Sequence, residues 1–216
     1  MLLVLGVGYL TVTGFTTNFL AYFFTGNTIH NIIDFYIDKD GDFYYLDYTE
    51  KYTYLYKVKP SGTIIFKKPL PRTREDLIYN YKKLVVDNED NIYILTTTRD
   101  AKQNKVIKEA VAKFSQKGDY VKDVFALTLE ENMRQENPFI NINNRLINLQ
   151  LITDYLYILD QKDPLQIDLI EASLEENIKP YIKKTIKFKT PVRLTDILYA
   201  VQNEFYYVNR QAEIYR

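Results

Sequence analysis

Few residues of this 216-residue chain could do chemistry, and their spacing limits what each could do. Asp38-Lys39-Asp40-Gly41-Asp42 sets three carboxylates and a glycine within five positions. Such a run could hold calcium, which takes about six to eight oxygens and, in an EF-hand, wants glycine sixth and a bidentate glutamate twelfth. Counted from Asp38, glycine comes fourth and the twelfth residue is Thr49. The same register recurs 49 residues later as Asp87-Asn88-Glu89-Asp90-Asn91. A turn written twice accounts for both runs, so no metal ligand is assigned. His30 is the only histidine, and no carboxylate stands at a fixed spacing from it. It reads as a surface or strand-edge residue, not as a base. Glu130-Glu131 and Glu175-Glu176 are carboxylate pairs, but acid–base work needs two carboxyls in different environments facing one pocket. Both lie in polar runs that read as loops or short helical turns. No catalytic residue and no cofactor is assigned, and the ligand-binding residues are not identified by sequence.

Composition narrows the classes further. With no cysteine in the chain, thiolate zinc sites, iron–sulfur clusters, disulfides and thiol catalysis are excluded. Acidic and basic residues balance at 28 each, without a basic stripe or tail, which argues against nucleic acid as a partner. Twenty tyrosines and 12 phenylalanines favour strands, although AT-rich codons would enrich tyrosine as well.

The elements that must position these residues fall into two parts. Leu2 to Phe24 holds no charged side chain, and as a helix it would reach across a bilayer core at about 1.5 Å per residue. It lacks a basic n-region and a small-x-small cleavage site, so residues 1–26 are expected to be a retained signal-anchor helix. A buried strand pair is the alternative, given the threonines at 11, 13, 16 and 17. The flank that follows has no basic cluster, which places the remainder outside the membrane.

Residues 27–216 carry a repeat. An apolar stretch, the acidic turn and an alternating aromatic-aliphatic stretch form a hairpin at Ile32 to Asp47 and again at Leu84 to Thr96. Fainter copies follow at Asp154 to Asp160 and Ile197 to Val208, which aligns the tyrosines at 44, 93, 157 and 206. A second hairpin follows each of the first two copies, turning at Lys59-Pro60-Ser61-Gly62 and at Ser115-Gln116-Lys117-Gly118. Two hairpins in about 50 residues are the dimensions of a propeller blade. The expected fold is all-β, a partial or small β-propeller of about four blade-like four-stranded repeats (30–71, 81–127, 142–188 and 190–216) behind the N-terminal hydrophobic helix. Polar stretches at Lys67 to Asn80, Thr97 to Glu109 and Glu130 to Asn144 are expected to be long loops on one face.

The pattern Asp-x-x-Gly-x-Phe-Tyr-x-x-Asp from Asp38, followed by Leu55-Tyr56-Lys57-Val58 and Gly62, resembles NHL-type β-propeller repeats. It is similar to the extracytoplasmic propeller heads of membrane proteins from low-GC Gram-positive bacteria. The resemblance implies a membrane-anchored recognition or sensing module, on the cell surface, for a small molecule or partner protein. A propeller-type hydrolase or lyase acting on glycans is the rival, and a truncated propeller fragment without a role of its own is a third reading.

Overall fold

The computed structural model describes residues 31–128, 145–163, 165–175 and 178–189, and the backbone of three strands within 197–215. The proposed anchor at 1–26 lies outside the described residues. Among the described residues there is no helix, and hence none long and apolar enough to cross a membrane.

The described strands form four antiparallel sheets, each a meander in chain order. The first holds β1 (Ile32–Ile37), β2 (Phe43–Tyr48), β3 (Tyr52–Val58) and β4 (Ile64–Pro71). The second holds a short β5 (Thr73–Arg74), then β6 (Leu77–Val86), β7 (Ile92–Asp100), β8 (Lys105–Phe114) and β9 (Tyr120–Thr128). The third holds β10 (Leu146–Ile152), β11 (Tyr155–Asp163), β12 (Gln166–Ser173) and β13 (Tyr181–Lys187). The fourth holds β14 (Ile197–Val201), β15 (Glu204–Val208) and β16 (Ile214–Tyr215). The four aligned tyrosines each fall on the strand after the first hairpin turn: Tyr44 on β2, Tyr93 on β7, Tyr157 on β11 and Tyr206 on β15.

Two expectations about loops are corrected. Lys67 to Asn80 runs through β4, β5 and the start of β6, and Thr97 to Glu109 is the end of β7, a tight turn at 101–104 and the start of β8. The second sheet therefore begins at Thr73, not at residue 81. Polarity misled here because β-branched Thr96-Thr97-Thr98 sits well on a pleated surface, and the Thr96 and Thr97 hydroxyls find partners within the sheet. The third stretch, Glu130 to Asn144, lies outside the described residues.

The hairpin turns are built alike. Asp38 Oδ1 accepts the amides of Asp40 and Asp42, both at 2.9 Å, while Gly41 adopts φ 81°. Asp87 Oδ1 accepts the amides of Glu89 and Asn91 at 2.9 and 2.8 Å, and Asp90 takes the left-handed position with φ 63°. Aspartate tolerates that region better than most side chains, so the turn survives without its glycine.

The sheets stack face to face, and the two-residue side-chain period assigns each strand residue to one interface. Tyr44, Leu46, Leu55 and Leu70 of the first sheet meet Tyr81, Leu84, Ile92, Ile94 and Phe114 of the second. Val85, Tyr93, Leu95 and Val111 on the second sheet's other face meet Leu149, Leu156, Ile158 and Ile170 of the third. A sheet covered on both sides needs a continuous apolar run, and Ile92-Tyr93-Ile94-Leu95 is one, fully buried throughout. Strand β1 lies beside β6, and β6 beside β10, the closest approaches between different sheets. Each of these three strands carries a bulge at the same place, at Ile33, Lys82 and Ile147. A bulge adds local twist, so the repeat extends to how each first strand bends.

Candidate functional site

The acidic turn at Asp38 to Asp42 does not stand open. Lys57 Nζ reaches into it from β3, 2.9 Å from Asp90 Oδ2 and 3.4 Å from Asp42 Oδ2, and sits 4.8 Å from the Tyr44 ring centre. Burial on its own would lower the Lys57 pKa, but the Tyr44 hydroxyl and the Asp90 carboxylate hold it above the ordinary lysine value. The cluster ties the first two sheets together through one buried cation, and its carboxylates are turned to that cation and to turn amides. Of the other sequence candidates, Glu175 is exposed in a bend. His30, Glu130, Glu131 and Glu176 lie outside the described residues. No group of three or more potential metal ligands occurs among the described residues.

A second buried network joins the second and third sheets. Glu109 is fully buried; its Oε1 accepts from Lys82 Nζ at 2.8 Å and Thr97 Oγ1 at 3.1 Å. Its Oε2 accepts the backbone amides of Arg145 and Leu146 at 2.7 and 3.0 Å. Burial lowers the Lys82 pKa, and the Glu109 carboxylate offsets that only in part. Arg145 in turn grips Asp160 with Nε and a terminal nitrogen. With every Glu109 oxygen doubly engaged, this carboxylate is a clamp between sheets.

Among the described residues, one feature with room for a ligand is a cleft of about 440 Å³ between the outer parts of the first and second sheets. One wall is Lys68 to Pro71 on β4. The other is the face of the second sheet that looks back at the first. Strand register sets out that face in rows: Tyr79 opposite Thr98 and Thr98 opposite Lys108 at one end, Phe114 opposite Tyr120 at the other. Phe114 and Tyr120 meet edge to face with ring centres 5.9 Å apart. Lys68 and Asp119 form a 2.6 Å ion pair across the mouth, and Lys108 pairs with Asp123 on the same sheet. Gly118 fits at the turn for two reasons. Its φ is 74°, and a Cβ there would come within 3.2 Å of the Phe66 ring and 3.3 Å of Lys68 Cβ.

Chemically the cleft offers donors and aromatic surface. Burial raises the pKa of Tyr81, whose hydroxyl donates to the Pro71 carbonyl at 3.0 Å, so at neutral pH it is a donor and not a base. Asp119 and Asp123 are both held by lysines. The residues that define this site escaped sequence reasoning. A signal was available, because Tyr79-x-Tyr81 and Thr96-x-Thr98 both keep a two-residue period, but the surrounding polarity read as loop.

No protein-family model matches the chain, the NHL-type repeat included, and no curated protein matches it. Several solved structures are similar, two of them as follows. One is a protein of unknown function from Bacteroides caccae, with TM-score 0.45 and 8% identity over 86% of this chain. The other is a protein from Lactobacillus plantarum, with TM-score 0.45 and 10% identity over 88% of this chain. The chain spans 60% of the first protein's length and 70% of the second's.

Proposed function

We propose that the chain is a non-enzymatic recognition module, a partial or small β-propeller whose cleft between the first two sheets takes a small ligand or a partner's side chains. The observation that carries the binding reading is the cleft itself, whose size lies in the range of small-molecule sites, about 300–1,000 Å³. Its lining of aromatic rings with a few hydroxyl and cationic donors is of the kind such sites use. Support for the propeller comes from four meander sheets in chain order, the side-by-side placement of β1, β6 and β10, and the equivalent bulges in those three strands. Catalysis finds less support, because the carboxylates lining the cleft are each paired with a lysine rather than set in contrasting environments.

A fragment library screened by amide NMR tests the binding reading. Fragments are expected to shift Tyr79, Thr96, Thr98 and Phe114, and Thr98→Trp, which fills the cleft, is expected to abolish those shifts. Fragments that bind Thr98→Trp as well as the parent chain would contradict the site.

As in the sequence reading, residues 1–26 are proposed to hold this module on the outer side of a membrane. Removing them is expected to move the protein from the membrane pellet to the supernatant. A truncated chain that still pellets with membranes would sink the anchor.

A further inference from the structure

We propose that the cleft receives an elongated amphiphile with a single anionic head group, seated with its head at the end formed by Arg74, Tyr79 and Thr98. The inference rests on the reading of this cleft as the binding site and specifies its ligand. The polar groups of the cleft divide into two sets. Lys68 and Lys108 are committed to Asp119 and Asp123, the Tyr81 hydroxyl to the Pro71 carbonyl, and the Thr96 hydroxyl to the Ala110 carbonyl at 3.2 Å. Arg74 has no ion-pair partner, and the Tyr79 and Thr98 hydroxyls make no hydrogen bond, among the described residues.

Register brings these three uncommitted donors together. Tyr79 and Thr98 are direct partners between β6 and β7. Arg74 is the partner of Leu77, which shares a strand face with Tyr79 by the two-residue period. A guanidinium beside two neutral hydroxyls matches a carboxylate, sulfate or phosphate oxygen set. The carboxylates lining the cleft lie on the β8–β9 hairpin and already hold their lysines, so a cationic head finds no free counter-charge. Beyond the head site the lining turns apolar, where Leu70 packs in one cluster with Ala112 and Phe114. A charged head on an apolar body reproduces that order, whereas a compact polar anion would leave the apolar length unfilled.

Octanoate, octylammonium and octanol, matched in length and kept below micelle-forming concentrations, are titrated into the full-length chain while the amide shifts of cleft residues are followed. Octanoate is expected to bind at least about tenfold more tightly than octylammonium. Arg74→Gln is expected to weaken octanoate about tenfold and to leave octanol unchanged, a split that mere structural damage would not give. Octylammonium binding as tightly as octanoate, or octanoate indifferent to Arg74→Gln, overturns the anionic head while leaving the cleft a ligand site. Silence from all three compounds overturns the amphiphile altogether, and the fragment screen then judges the cleft separately.

Discussion

Asp34 shows how one side chain can join two sheets at a cost. It follows the bulge in β1, and its Oδ2 accepts the Leu84 amide from β6 at 2.9 Å while Lys83 Nζ lies 3.5 Å from Oδ1. Desolvation raises its pKa above the ordinary 3.8, and Lys83 and the Leu84 amide pull it back only partly. Its folded-state value thus exceeds the unfolded one, so the native state binds more protons across that interval. Stability must then fall as pH rises from about 3.8 through the raised value. Asp34→Asn keeps an oxygen acceptor for Leu84 and removes the titration. Urea denaturation between about pH 3 and pH 7 is expected to show that fall in the parent chain and a flatter profile in the variant. A variant with an unchanged profile would mean that another group titrates there.

At the scale of elements, the hairpins were the most legible part of the sequence, because their turns carry their own instructions. Asp38 and Asp87 accept the same pair of amides, and Gly62 and Gly118 both take positive φ, at 84° and 74°. Each signal is local in the chain, so it survives in the sequence. Strand ends were less legible. Thr97 and Glu109 look polar in sequence, yet both are buried, because Glu109 takes up the Thr97 hydroxyl and crosses to Arg145 on the way to the third sheet. That satisfaction is supplied from 36 residues away and leaves no local mark. The cleft was missed for the same reason, since its two walls come from different sheets. The clamp gives a sharp expectation: Glu109→Ala leaves two backbone amides, a threonine hydroxyl and the Lys82 ammonium without their shared acceptor. It is expected to destabilise the chain by about 3–5 kcal/mol in chemical denaturation, the range for breaking a buried ion pair from one side. A loss below about 1 kcal/mol would show that water or neighbouring groups replace the carboxylate.

Over the whole molecule, the described sheets build outward by repetition. Each offers one face to the sheet before it and one to the sheet after, as Tyr44 and Tyr93 show by facing forward from the first and second sheets. The third sheet keeps the pattern: Leu159, Ile167 and Leu169 form a separate apolar cluster on the face turned away from the second. Repetition of this kind permits either a ring about one axis or a straight stack. The ring is the arrangement proposed above: β1, β6 and β10 lie side by side, while a cleft stands between the outer strands of the first two sheets. Distances between spin labels decide between the two. The chain has no cysteine, so cysteines introduced in pairs at Asp40, Asp154 and Gln202, which chain order puts between the first two strands of the first, third and fourth sheets, are the only labelling sites. A closed ring of four or five blades requires the distance from 40 to 202 to be equal to that from 40 to 154 or shorter, and an arc of a six- to eight-bladed ring makes it at most about a third longer. A distance from 40 to 202 roughly half as long again as that from 40 to 154 would mean a straight stack and would contradict the propeller.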